Sequence, residues 1–166
     1  MENYKELLKN INTFIFDVDG VLTDGELLVM PDGEFIRTMN IRDGYAMQLC
    51  IKEGYNIFII SGGHSKGVPI RLARLGVKEV HMGATDKLDT MNTLLKKHSV
   101  DRSQVLYMGD DIPDVEAMSN TAVPACPFDA ATEVRSCSKF ISEIKGGRGC
   151  VRDVIEQTMR LHGKWK

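Results

Sequence analysis

The run Thr13-Phe14-Ile15-Phe16 stops at Asp17-Val18-Asp19-Gly20. A short apolar run bounded by a turn signal reads as a strand buried on both faces, as in parallel sheets. Asp17 and Asp19 then stand at or just past its carboxyl end, the edge where open α/β sheets bind ligands. Two carboxylates held this close repel each other unless a cation or a shared proton relieves them. The pattern points to a divalent metal beside a nucleophilic carboxylate.

Most of the remaining chain alternates between strand and helix patterns. Strands are predicted at Asn56–Ser61, Glu79–Met82, Val105–Gly109, Thr121–Ala125 and Lys139–Ile141. Helices are predicted at Met1–Lys9, Asp43–Glu53, Lys66–Leu75, Thr85–His98, Ile112–Ser119, Asp129–Cys137 and Val151–His162. This alternation predicts one α/β domain over residues 1–166, a Rossmann-like, mostly parallel sheet with helices on both faces.

Val21–Met39 breaks the pattern and reads as a protruding β-hairpin. Its strands are Glu26–Met30 and Glu34–Met39, around a turn at Pro31-Asp32-Gly33. An isolated two-stranded hairpin does not hold together in water. Leu27, Leu28, Val29 and Met30 are consecutive and keep to no single face, which predicts a contact with another subunit. The tail after His162 is short and basic and is expected to fray.

Composition excludes several classes. A hydrophobic fraction of 43% and a charged fraction of 27% over 166 residues suit an ordinary soluble core. A net charge of −2 gives no general attraction to nucleic acid or to an anionic membrane. No segment has the length of a membrane span, and Met1–Lys9 lacks the apolar centre of a signal peptide. Cys50, Cys126, Cys137 and Cys150 show neither disulfide nor zinc spacing, so a cytoplasmic location is expected.

The strand ends carry the chemistry. Asp17 and Asp19 follow the first strand, Ser61-Gly62-Gly63 ends the second, and Asp110, Asp111 and Asp114 follow Gly109. Lys87 lies in the first turn of the helix after Gly83-Ala84-Thr85-Asp86. Asp17 and Asp110 suit Mg²⁺, which takes oxygen ligands and phosphate oxygens, with Asp19 counted in the same metal set. Asp17 can attack phosphorus to form an aspartyl phosphate. Asp19 can protonate the leaving alkoxide and then deprotonate water. Ser61 and the amides of Gly62 and Gly63 can bind phosphoryl oxygens, and Lys87 can stabilise their charge. Asp111 and Asp114 can hold metal-bound water or orient Lys87. Against this, Ser61, Asp43 and Asp114 also fit simple helix-terminal roles, and His81 reads as structural.

These four motifs, in this order, resemble those of the haloacid dehalogenase-like phosphatase superfamily, and the gaps between them leave no room for an inserted cap domain. Asp24-Gly25, Asn40-Ile41-Arg42-Asp43-Gly44 and Gly146-Gly147-Arg148-Gly149-Cys150-Val151-Arg152 further resemble the 3-deoxy-D-manno-octulosonate-8-phosphate phosphatase family. That resemblance implies a capless, Mg²⁺-dependent homotetramer built through the hairpin, acting in lipopolysaccharide precursor synthesis. It implies that Arg148 reaches substrate and that Arg42 and Asp43 line a sugar pocket. Gly63 stands where related chains often carry a charged residue, so a nine-carbon keto-sugar-acid 9-phosphate is the alternative substrate. A phospho-acceptor receiver domain is the alternative from another class.

Overall fold

The computed structural model describes residues 3–165, so Met1, Glu2 and Lys166 lie outside the described residues. A six-stranded parallel sheet runs in the order β5-β4-β1-β6-β7-β8. Its strands are β1 (Thr13–Phe16), β4 (Asn56–Ser61), β5 (Glu79–Met82), β6 (Val105–Met108), β7 (Val123–Cys126) and β8 (Phe140–Ile141). The two-residue strands β2 (Leu28–Val29) and β3 (Phe35–Ile36) form a separate antiparallel pair.

The helices are α1 (Tyr4–Leu8), α2 (Ile41–Lys52), α3 (Gly67–Arg74), α4 (Lys87–His98), α5 (Ile112–Ser119), α6 (Thr132–Cys137) and α7 (Cys150–Leu161). Successive side chains of a strand point to opposite faces, and β1 divides accordingly. Phe14 and Phe16 enter the core built with α1, α2, α3 and α7, while Ile15 enters the one built with α4, α5 and α6. All three are fully buried, as a central strand covered on both faces requires.

β1 is flanked by β4 on one side and β6 on the other, in register from Thr13 to Phe16. The chain after β1 and the chain after β6 therefore leave the sheet around a topological switch point, where α/β sheets open a crevice.

Two expectations change. The hairpin does not extend from Val21 to Met39. Val18–Leu22 instead closes a wide turn in which Thr23 N donates to the Val18 carbonyl at 3.0 Å while Asp19 and Gly20 lie outside helical backbone angles, and the paired strands shrink to Leu28–Val29 against Phe35–Ile36. Leu28 and Val29 remain 62% and 66% exposed, and among the described residues no third strand pairs with this short ladder. The tail after His162 docks rather than frays, as far as Trp165. Lys164 donates from its backbone to Met159 and from Nζ to the Glu53 carbonyl at 3.1 Å, and Arg152 lies over the Trp165 ring. An aromatic ring and a long aliphatic stem give this basic segment apolar surface to bury.

Candidate active site

The turn after β1 carries Asp17, which is 6% exposed. Its Oδ1 accepts from Val18 N at 2.6 Å, and its Oδ2 accepts from Lys87 Nζ at 2.9 Å. Gly20 bends this turn at φ +83°, and a Cβ there would lie 2.0 Å from Asp110 Oδ2. Glycine is thus required twice over, for the backbone angle and for the approach of Asp110. The backbone of Asp17 continues the sheet, its N–H bonded to the Met108 carbonyl of β6.

Lys87 is the first residue of α4, which is capped by Asp86. The preceding loop is pinned to the loop after β4, since Ala84 N donates to the Ser61 carbonyl and Gly83 N to the Gly63 carbonyl. Lys87 therefore enters the centre from the side of Ser61. Its Nζ also donates to Asp114 Oδ1 at 2.7 Å. Asp114, on the first turn of α5, is fully buried and accepts from Tyr107 Oη at 2.9 Å and from Asp110 N at 3.3 Å.

Asp17, Asp110 and Asp114 each offer a carboxylate oxygen within 4.8 Å of the others. Three carboxylates face one lysine. Burial, and then repulsion from Asp114, raises Asp17 to about 6. Burial, and then repulsion from Asp17 and Asp114, raises Asp110 to about 7. Burial opposes the charge of Lys87, but the two carboxylates outweigh it and hold the lysine cationic. A surplus of half-shielded negative charge with oxygen donors alone fits a hard divalent cation such as Mg²⁺.

Asp114, rather than the Asp19 side chain, completes this carboxylate cluster. Both oxygens of Asp19 are instead taken by Arg37, at 2.5 and 3.0 Å. Ser61 is buried at the end of β4, with Oγ accepting from Gly63 N at 3.1 Å. The Gly63 amide is thereby occupied, while Gly62 is exposed. Asp111 caps α5 from an exposed position, its Oδ1 accepting from Ile112 N.

The residues expected around a sugar divide differently. Asp43 is 1% exposed and does not open onto a pocket; it accepts from Arg152 N at 2.7 Å, capping α7 from α2. Among the described residues its Oδ2 has no hydrogen-bond partner, and burial raises the group to about 6. The α2 cap is Asn40, not Asp43. Arg42 and Arg148 line a depression of about 440 Å³ against α7, where Arg148 pairs with Asp24 at 3.1 Å. Among the described residues neither arginine bonds to the Asp17 cluster.

Beside Asp19, a cleft of about 1030 Å³ lies between the hairpin and the start of α3, lined by Phe35, Arg37, His64, Lys66, Arg71 and Met82 among others. A cleft of this size suits a small molecule, and Arg37 on its wall links it to the Asp19 carboxylate.

Known proteins are similar to this chain over nearly its whole length. The 3-deoxy-D-manno-octulosonate 8-phosphate phosphatase of Escherichia coli K12 is 33% identical over 156 residues, covering 94% of this chain and 83% of the relative. The chain belongs to the 3-deoxy-D-manno-octulosonate 8-phosphate phosphatase family. The crystal structure of the Yersinia pestis phosphatase superposes with a TM-score of 0.96 at 31% identity, over 99% of this chain and 89% of that one. The Moraxella catarrhalis phosphatase, crystallised with magnesium ion, phosphate ion and KDO, gives 0.95 at 30% identity, over 99% and 95%. No protein-family model matches the chain.

Within this octulosonate-phosphatase framework, sequence reasoning passed over Arg37 and Tyr107. Tyr107 carried a usable signal: a phenol inside a buried strand needs a hydrogen-bond partner. Arg37 carried none, because a charged residue in a hairpin is an ordinary solvated one.

Proposed function

We propose that this chain is a Mg²⁺-dependent phosphatase that hydrolyses 3-deoxy-D-manno-octulosonate 8-phosphate through an aspartyl-phosphate intermediate. The observation that carries this reading is Asp17 held by Lys87 beside Asp110 at the switch point of the sheet. The substrate follows from the family, and the lipopolysaccharide pathway follows from the substrate.

The residues divide the work as follows. Asp17 and Asp110 would hold the metal, with Asp114 alongside. The bound cation offsets repulsion between an anionic attacker and a dianionic phosphate. Asp17 attacks phosphorus while the bond to the sugar oxygen breaks, and Asp19 gives that oxygen a proton. Asp19 then takes a proton from the water that hydrolyses the acyl phosphate. Ser61, the Gly62 amide and Lys87 stabilise the phosphoryl oxygens. Arg42 and Arg148 reach sugar only if a neighbouring subunit presents them.

Assembly follows from the hairpin. Leu28, Val29, Phe35 and Ile36 expose 44–66% of their surface on one short ladder, an apolar patch that favours burial in a homotetramer. The whole chain acts as one catalytic domain in the cytoplasm, a reading supported by its four free thiols.

The test is phosphate release by the purified protein with Mg²⁺ across a panel of sugar phosphates, including eight- and nine-carbon keto acids. Preferred turnover of the eight-carbon substrate is expected. No release from it, with robust turnover of another, overturns the assignment.

A further inference from the structure

The hairpin turns its apolar residues outward and one charged residue inward. Leu28, Val29, Phe35 and Ile36 are 44–66% exposed, whereas the Arg37 side chain, directly after β3, is 4% exposed. Its Nε donates to Asp19 Oδ1 at 2.5 Å and its Nη2 to Asp19 Oδ2 at 3.0 Å. Its Nη1 donates to the carbonyls of Phe35 and His64, both at 3.2 Å. Among the described residues, every hydrogen bond from residues 28–37 to the body of the chain belongs to Arg37. The ion pair of Glu34 with Lys66, at 3.8 Å, is open to solvent and adds little.

These contacts end on the two loops that border the phosphate position. Asp19 lies in the turn after β1, which Thr23 N closes on the Val18 carbonyl at 3.0 Å. His64 lies in the loop after β4, directly after Ser61-Gly62-Gly63. Gly63 makes room for the guanidinium, since a Cβ there would lie 2.7 Å from Asp19 Oδ2 and 3.1 Å from Arg37 Nη2. A bidentate arginine–carboxylate pair fixes direction as well as distance, so a hairpin that shifts carries the turn with it. A ladder of two residues per strand does not hold its own position in water. Burial of its apolar face against another copy does.

We propose that Arg37 is a positioning residue that makes the order of the catalytic turn depend on assembly: it straps the turn to a hairpin that only a second copy of the chain holds still. The proposal deepens the phosphatase reading above and rests on its assembly part. Arg37 acts through the position of residues 18–23 and takes no part in bond making.

The experiment measures hydrogen exchange of the Val18–Thr23 amides, sedimentation velocity and turnover of the eight-carbon sugar phosphate. The proteins compared are the parent, Leu28→Asp/Val29→Asp, Arg37→Ala and the variant combining all three changes. Leu28→Asp/Val29→Asp should sediment as a smaller species than the parent. Arg37→Ala keeps the apolar ladder and should stay assembled. Both should speed exchange in the turn by about tenfold, the order expected when charge-assisted hydrogen bonds are lost, with the Val105–Met108 amides unchanged. Turnover should fall in both by about 10–100-fold, as for a reacting group misplaced by roughly 1 Å. The combined variant should lose no more than either parent variant, because both break one linkage. Arg37→Lys keeps the charge without the fork and should exchange at an intermediate rate while staying assembled. Turn exchange at the parent rate in either variant, or losses that add in the combined one, overturn the strap. A monomeric parent overturns the assembly reading and the strap with it. The exchange pattern needs no substrate, so the expected pattern without any phosphate release upholds the strap and overturns the phosphatase reading alone.

Discussion

Lys87 donates to Asp114 at 2.7 Å and to Asp17 at 2.9 Å, so the lysine that serves the nucleophile is held at least as closely by a carboxylate on another helix. Asp114 also holds the Tyr107 hydroxyl. Asp114→Ala should leave a buried ammonium and a buried phenol each short of one partner and cost about 1–3 kcal/mol of folding stability, since Lys87 keeps Asp17. Asp114→Asn keeps the acceptor and should cost less. Denaturant unfolding with a chelator present measures both, and equal stability of Asp114→Ala and the parent would contradict the structural role.

Asp17→Asn removes the attacking oxygen's charge while keeping its shape. Turnover should fall by at least about 10³-fold with an unchanged fold by circular dichroism. The parent should be trapped as a phosphoaspartate mimic by beryllium fluoride, and Asp17→Asn should not. Residual activity above roughly a hundredth of the parent would assign the attack to another residue.

Metal affinity should depend on pH through the same carboxylates. With Asp17 raised to about 6 and Asp110 to about 7, protons occupy the site at low pH and the ionised form binds the cation. Mg²⁺ binding should therefore tighten from about pH 5 to pH 8, with protons released on binding. Calorimetry in buffers of different ionisation enthalpy reads both quantities. An affinity flat across that range would remove these groups from the metal site, and chelation that leaves activity intact would remove the metal from the reaction.

Asp43 predicts an opposite trend in stability. Its pKa is raised by burial from 3.8 to about 6. The folded state therefore binds its proton more readily than the unfolded state, and stability from this group falls as pH rises between those values. The ionised group costs about 2–3 kcal/mol above pH 6. Asp43→Asn retains the acceptor for Arg152 N and has no such titration. The variant should gain stability relative to the parent as pH rises from about 4 to 6. A difference that does not change with pH would mean Asp43 is already relieved by solvent.

Charged substitutions at Leu28 and Val29 should split the assembly and weaken activity. Sedimentation velocity and turnover are measured together on Leu28→Asp/Val29→Asp. A fully active monomer would separate the hairpin's apolar ladder from the active site.

The sheet edge was legible because its signals are local. β4, β5 and α5 fall where apolar runs and turn residues place them, and their ends deliver Ser61, Lys87 and Asp110 to one crevice. The hairpin was legible as an interruption, but not in its length, because two-stranded pairing depends on what covers it. Asp43 was misplaced for a different reason. Its partner is an amide 109 residues later, and nothing near Asp43 in sequence marks it as a cap for another helix. The Arg37–Asp19 pair is closer, 18 residues apart, yet it depends on how an irregular turn aims both side chains.

Gly146 packs against the backbone of Gly20 so closely that a Cβ would meet its carbonyl oxygen at 1.9 Å. Nearby, the Gly147 amide donates to the Val21 carbonyl, which also receives the Cys150 thiol from 129 residues away. The reactive turn, translated early, thus acquires its backing only when this late segment arrives. A ribosome-bound fragment lacking residues 146–150 should be catalytically silent however well its first strands have paired.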